Sequence, residues 1–390
     1  MRSERLIGRI VGAALLLCLS LPAHAILPIQ NWQTSSGAQV YFVENRDLPM
    51  LDLSVEFPAG AAYDSREKSG AASMTNQLLR LGADGMSEDE IARRMADVGA
   101  LLSSRFDTDR AGLALRTLTS SAERRQALDV FSRVLQRPEF PAAVVEREKA
   151  RRIAALKEAD TKPDTIAALT FYRMVYRDHP YGLRASGEAE TVARLGREDL
   201  ADFYRRHYVA QRAVVAMIGA VSREEAAAIA EELTARLPQS GGAAQALPPV
   251  AALAAGGTRV VAHPASQSHI LIGAPGIRRD DPDYFPLFVG NYVLGGGGFV
   301  SRITEEVRQK RGLAYAAYSY FSPLREQGPF LIGMQTQRDQ AGEALAVVNR
   351  TLRDFLANGP TDKELAAAKQ NIVGGFPLRI DSNRKILDYL

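Results

Sequence analysis

The sequence predicts an α+β protein of two homologous domains, and three observations carry that prediction. One order of elements, strand, turn, apolar helix, charged helix and two strands, occurs twice along the 390 residues. Residues 237–257 between the copies are rich in Gly, Ala and Pro and free of charge, as a linker is. At 46% hydrophobic content the chain can also build two cores at the usual ~100 to 200 residues each. The expected divisions are a leader over 1–25, a first domain over 26–236, the linker, and a second domain over 258–390.

In the first copy Leu51 to Phe57 alternates as a strand, Gly60 to Ser65 turns, and Gly70 to Leu81 is an apolar helix. A charged helix (Ser87 to Val98) and two strands (Leu101 to Asp107, Gly112 to Thr119) follow. Helical periodicity continues over Ala122 to Leu135, Val144 to Ala159, Thr165 to Tyr176 and Arg197 to His207, and Ala213 to Ala220 is a further strand. In the second copy His269 to Gly273 is the strand and Gly276 to Asp283 the turn. Tyr284 to Leu294 and Val300 to Lys310 are the two helices, Ala314 to Phe321 and Phe330 to Thr336 the two strands. Helices over Ala341 to Ala357 and Thr361 to Val373 complete it. No counterpart of the strand Ala213 to Ala220 follows, so the second domain is expected to be C-terminally incomplete.

Arg2, Arg5 and Arg9, the apolar run Ile10 to Leu21 and Ala23-His24-Ala25 have the order of a secretory signal peptide, which implies a periplasmic protein. The run is shorter than the ~20 residues a membrane span needs. Leu rather than a small residue precedes Cys18, which favours cleavage after Ala25 over lipid attachment. That cleavage removes the only cysteine and leaves 45 basic against 44 acidic side chains, so a disulfide, a thiolate metal site and a nucleic-acid-binding charge bias are excluded.

The most informative stretch is LGGGGFVSRITEEVRQKRGLAY, Leu294 to Tyr315. It places Arg308 in the last turn of a helix and Tyr315 at the start of a strand, with Gly312 as the stop between them. Gly295, Gly296, Gly297 and Gly298 lack the lysine of a phosphate loop and follow a helix rather than a strand, so they are expected to form a hinge that lets backbone approach a peptide. Ser73 has neither a nucleophile elbow nor a nearby histidine.

The duplicated order, the Gly-rich string ending in Arg308 and Tyr315, the segment His179-Pro180-Tyr181-Gly182 and the turn AGAAYDSREKSGAA together resemble the insulinase-like zinc peptidases of the M16 family, in their processing-peptidase-type branch. The resemblance covers nearly all of the chain beyond the leader and implies LuxS/MPP-like α+β domains, each an antiparallel-rich sheet with helices packed on one face, enclosing a chamber. In that family H-x-x-E-H on the first apolar helix, with a distal glutamate, holds zinc and activates water. Here the motif reads Ser73-Met74-Thr75-Asn76-Gln77, and the distal position falls at Ala154-Ala155, so Ala155 stands in the third ligand's place. Glu146 and Glu148 resemble the acidic start of the distal helix and are expected to be solvated relics. His179, His207, His263 and His269 are scattered singly. No zinc is expected in this chain.

What the resemblance retains is the arginine and tyrosine, which in the family donate to the substrate carbonyl across the cavity. Arg308 and Tyr315 match them in spacing and in the flanking Gly312. The implied protein is a non-catalytic subunit that supplies this pair to a separate zinc-bearing subunit in a heterodimer, acting on small or unfolded peptides. The strand carrying Ser103 and Ser104 matches the edge along which the family lays its peptide. The competing expectation is a peptide-binding or scaffold protein of the envelope with no part in hydrolysis.

Overall fold

The computed structural model describes residues 28–239 and 245–390. The expected signal peptide and Cys18 lie outside the described residues. Two sheets form the frame. The first is six-stranded, built from β1 (Gln30–Gln33), β2 (Gln39–Glu44), β3 (Met50–Phe57), β6 (Leu101–Phe106), β7 (Ala111–Leu118) and β8 (Val214–Gly219) in the order β1-β2-β8-β3-β7-β6. Only β2 and β8 run parallel. A small ribbon of β4 (Gly82–Ala83) and β5 (Met86–Ser87) stands apart.

The first half's helices are α1 (Ala71–Leu78), α2 (Glu88–Asp97), α3 (Ser121–Gln136), α4 (Ala142–Ala159), α5 (Pro163–Tyr176), α6 (Ala189–Arg194), α7 (Arg197–His207) and α8 (Arg223–Thr234). Of these, α1, α2, α3 and α8 pack directly on the first sheet, and Leu51, Leu53, Val55 and Phe57 are all buried in the core. Each such burial contributes roughly 1.5–3 kcal/mol, which is why the alternating strand is the most legible element of the half.

The second sheet is antiparallel in the order β10-β11-β9, with β9 (Gln267–Pro275), β10 (Ala314–Phe321) and β11 (Pro329–Gln337). Its order repeats β6-β7-β3 of the first sheet, so the duplication holds at the level of topology, and β6 and β10 are both edge strands. The helix α9 (Tyr284–Asn291) precedes the glycine run, while α10 (Ala341–Asn358), α11 (Asp362–Gly375) and α12 (Asn383–Leu387) follow β11. The expected helix over Val300 to Lys310 is irregular: a 3-10 turn at Gly298–Val300, a short α turn at Arg302–Thr304 and a π turn at Glu305–Gln309.

Each half lends a helix to the other. α5 packs on β9, and Gly273 takes the Phe171 ring 3.0 Å from where its Cβ would stand. In return α12, which follows α11 as α5 follows α4, lies against β8 and β3 on the face free of the first half's own helices. Ile386, Leu387 and Leu390 there cover Val43, Ala216 and Ile218. Arg105 pairs with Asp388 at 2.5 Å and Asn45 with Asn383 at 2.9 Å.

The stretch expected to be a linker is tied to the first half. Leu247 is buried in the core, and the Nε2–H of His179 donates to Pro248 O at 2.8 Å. The Nδ1 of the same ring accepts the Tyr181 N–H at 3.1 Å, which fixes the tautomer.

His207 ends α7 buried against the Phe203 and Tyr63 rings at 4.3 and 5.4 Å. Burial, with Arg206 and Arg212 nearby, pulls its pKa from 6.5 down to about 4. The unfolded chain therefore takes up a proton that the folded chain refuses, and stability is lost as the pH falls from about 6.5 to 4, by about 3 kcal/mol over that window. Asp64, whose carboxyl burial pushes up to about 7, acts in the opposite sense but equally in any His207 variant. His207→Gln is accordingly expected to flatten the acid limb of a urea-unfolding series against pH, relative to the native chain. An unchanged difference between pH 7 and 4 would refute the role.

Candidate functional site

Two places carry the family-type residues, and they are built differently. The first is α1, where Ser73 and Gln77 lie one helical turn apart and so share a face. Both bind the same group, the Arg152 guanidinium from α4: it donates to Ser73 Oγ at 2.9 Å and to Gln77 Oε1 in a short hydrogen bond, with Ser186 O at 3.5 Å. Gln77 turns its amide nitrogen the other way and donates to Glu148 Oε2 at 2.9 Å. Glu148 is a correction to the expectation of a solvated relic, for its side chain is 1% exposed and paired with Arg147 at 2.9 Å and Arg151 at 3.3 Å. Glu146, by contrast, is exposed and pairs with Lys149 at 3.1 Å.

Asn76 faces elsewhere. It is buried and donates to Gly112 O at 2.8 Å, with the Tyr208 hydroxyl at 3.3 Å, so it locks α1 onto β7. A neutral amide held this way cannot take a proton from water. Ala155 is exposed and offers only a methyl group. A hydroxyl and an amide bonded to a fixed guanidinium, with a methyl group at the distal position, do not fit zinc, whose protein ligands are thiolate, imidazole or carboxylate. Among the described residues no group of three or more His, Cys, Asp or Glu side chains is placed to hold a metal ion.

The second place is the turn into β10. The π turn ends at Gln309, and Gly312 at φ +62° redirects the chain, with its N–H on Arg308 O at 2.9 Å. The Arg308 guanidinium then lies between two rings, 4.6 Å from the centroid of Tyr315 and 4.7 Å from that of Phe299. Tyr315 is 83% exposed and Phe299 65%. Among the described residues the Arg308 guanidinium has neither a hydrogen-bond nor an ion-pair partner, and the residue is half-buried. The spacing of seven is what a helix end, a glycine turn and a strand start require to bring the two side chains together. No hydrogen bond or ion pair joins either to Ser73, Asn76 or Gln77.

The glycine run that leads there is packed at three of its four positions. A Cβ on Gly295 would lie 2.6 Å from Ser319 N, on Gly296 2.7 Å from Asn291 Nδ2, and on Gly297 2.6 Å from Tyr292 O. Gly298 alone is left-handed, at φ +60° with open space around it. Gly295→Ala is expected to cost about 1–3 kcal/mol by overpacking against β10. Gly298→Ala is expected to cost only the local strain of about 1 kcal/mol. Thermal unfolding ranks the two, and equal losses would refute the packing role.

On the edge strand β6, Ser103 and Ser104 alternate across the sheet. Ser103 is exposed on the face bearing Arg105 and Leu101, whereas Ser104 is half-buried toward the helices and accepts the Arg80 Nε–H at 3.1 Å. Only Ser103 therefore faces outward. Sequence reasoning missed Arg152 altogether, and its one signal was the i, i+4 spacing from Glu148 on α4.

A duplicated α+β scaffold with lent helices, an arginine–tyrosine stack at one strand start and a guanidinium between the two chelating positions together define a peptidase-type protein without its own catalytic set. The comparisons agree: residues 41–188 match Insulinase (Peptidase family M16) and residues 194–372 match the Peptidase M16 inactive domain. A crystal structure of a peptidase M16 inactive domain from Pseudomonas fluorescens is 35% identical, with TM-score 0.87 over 93% of this chain and 86% of that one. The chain belongs to the M16 peptidase family. A Helicobacter pylori protein named non-peptidase homolog YmxG is 26% identical over 87% of this chain and 78% of its own length. A protease structure from the same species, at 18% identity, TM-score 0.86 and 93% coverage of this chain, shares the fold.

Proposed function

We propose that this chain is the non-catalytic subunit of a heterodimeric zinc peptidase of the periplasm, binding extended peptide and presenting Arg308 and Tyr315 to the carbonyl that is attacked. The observation that carries the reading is the state of Arg308: a cation without a carboxylate partner among the described residues, flanked by two exposed rings. Zinc held by the partner subunit would supply the activated water; no residue of this chain is asked to hold it. The guanidinium and the phenol donate to the carbonyl oxygen, and both bonds strengthen as negative charge develops there. The free edge of β6, the strand that carries Ser103, offers backbone pairing to a small or unfolded peptide. The basic start and apolar run of residues 1–25 support export.

The test is reconstitution with an M16-type subunit bearing an intact H-x-x-E-H, encoded beside this chain. The two are expected to co-purify, and an unstructured peptide to be cut rapidly by the mixture but by neither subunit alone. A zinc subunit equally active without this chain would sink the proposal and leave the peptide-binding or scaffold role. Stoichiometric zinc on this chain alone would do so as well.

A further inference from the structure

We infer that Arg152 is a built-in substitute cation: its guanidinium occupies the locus between Ser73 and Gln77 that a metal would take, and it closes this half to zinc even when the ligands are put back. A group bonded to both side chains of an i, i+4 pair sits in the bite of that pair, and the Arg152 donors reach both Ser73 Oγ and Gln77 Oε1. The positive charge there is matched, as a metal's would be, by acceptors around it, the buried Ser73 and the half-buried Gln77 and Ser186. Glu148 is 1% exposed one turn earlier on α4, and Gln77 bridges it to the guanidinium, giving its carbonyl to the cation and its amide nitrogen to the carboxylate.

This relay accounts for the residue types. A glutamine is both donor and acceptor on one rigid amide, so it satisfies an arginine on one side and a carboxylate on the other. Serine at 73 is short enough to leave room for the guanidinium and still accept from it, while its own hydroxyl donates to Gly70 O at 3.2 Å. Arginine also suits a desolvated place because its charge survives burial. A dication brought into the same bite would stand beside that fixed charge in a partly desolvated space, where like charges repel far more strongly than in water.

The experiment uses the full chain carrying Ser73→His, Asn76→Glu, Gln77→His and Ala155→Glu, with Arg152 either retained or changed by Arg152→Leu. Zinc is titrated against a chromophoric chelator, and the metal-to-protein ratio is measured after dialysis. The Arg152→Leu background is expected to bind one zinc at least about 100-fold more tightly than the background retaining Arg152. Equal affinity in the two, whether tight or undetectable in both, would overturn the assignment. A second measurement uses the native sequence in case the multiple variant fails to fold. Arg152→Met is expected to lower the thermal midpoint, and Arg152→Lys to recover at least half of the loss because a cation is restored. Arg152→Lys as unstable as Arg152→Met would overturn the substitute-cation role.

Discussion

Arg308→Ala in the reconstituted pair is expected to lower kcat for peptide cleavage by about 100- to 1,000-fold, the usual loss when one donor to a developing oxyanion is removed. Association of the two subunits should be unchanged. The fold should tolerate the change, since the guanidinium is held only by ring faces and Tyr315 is 83% exposed. Tyr315→Phe separates the parts of the stack: the ring still supports Arg308, but the O–H that would reach the carbonyl is gone. Its loss should therefore fall on kcat. Phe299→Ala keeps both donors and removes one wall of the stack, so it should raise KM more than it lowers kcat, through a less ordered guanidinium. Arg308→Lys should recover little, because an ammonium neither stacks nor presents a fork. Turnover unaffected by Arg308→Ala would leave the stack as a surface ornament of a scaffold protein.

What the sequence disclosed of this site follows from how local each feature is. Arg308, Gly312 and Tyr315 lie within eight residues, so helix end, turn and strand start could be read in one window. Leu51 to Phe57 was equally plain because every second residue meets the helix layer. The hairpin Gln30 to Glu44 was not, since QNWQ is polar and lies at a sheet edge, where little burial imposes a pattern. The π turns at Tyr292–Gly296 and Glu305–Gln309 escaped because period 3.6 does not describe them.

The vacated chelate was legible as a loss and illegible as a replacement. Ser73 and Gln77 could be placed on one face of α1, but Arg152 comes from 75 residues beyond Gln77 in a helix whose mixed charges read as a solvated surface. Glu148 was misjudged for the same reason. Its partners are Arg147 and Arg151 on its own helix and Gln77 from α1, and the last of these is a contact no periodicity of α4 encodes. The exchange of α5 and α12 between halves is likewise long-range. It makes the open face of each sheet partly the property of the other half, so the geometry of β6 and of β10 depends on how the halves are held together.

That dependence gives the second large effect, at Asp109. Its carboxylate is buried at the turn before β7 and accepts the Tyr181 O–H at 2.8 Å and the Arg325 N–H at 2.7 Å. Tyr181 in turn accepts the Glu326 N–H at 3.0 Å, and Tyr176 donates to Gln327 O at 3.1 Å. The loop between β10 and β11 is thus gripped by first-half residues, and β10 is the strand that begins with Tyr315. Burial pushes the Tyr181 phenol up, so it stays a donor throughout the accessible pH range. Asp109→Ala strands the buried Tyr181 O–H and the partly buried Arg325 N–H and is expected to cost about 2–5 kcal/mol. The loss should fall between the halves rather than within either. Urea unfolding should become biphasic, and protease should cut more readily within residues 237–257, because the coupling of the halves is what the carboxylate supplies. Asp109→Asn should lie between the two, keeping one acceptor for the Arg325 N–H while weakening the bond from Tyr181. In the reconstituted pair Asp109→Ala should also lower kcat, since Tyr315 is aimed by a strand whose far end is no longer clamped. A single unfolding transition at the native midpoint would show that the halves are held by α5 and α12 alone.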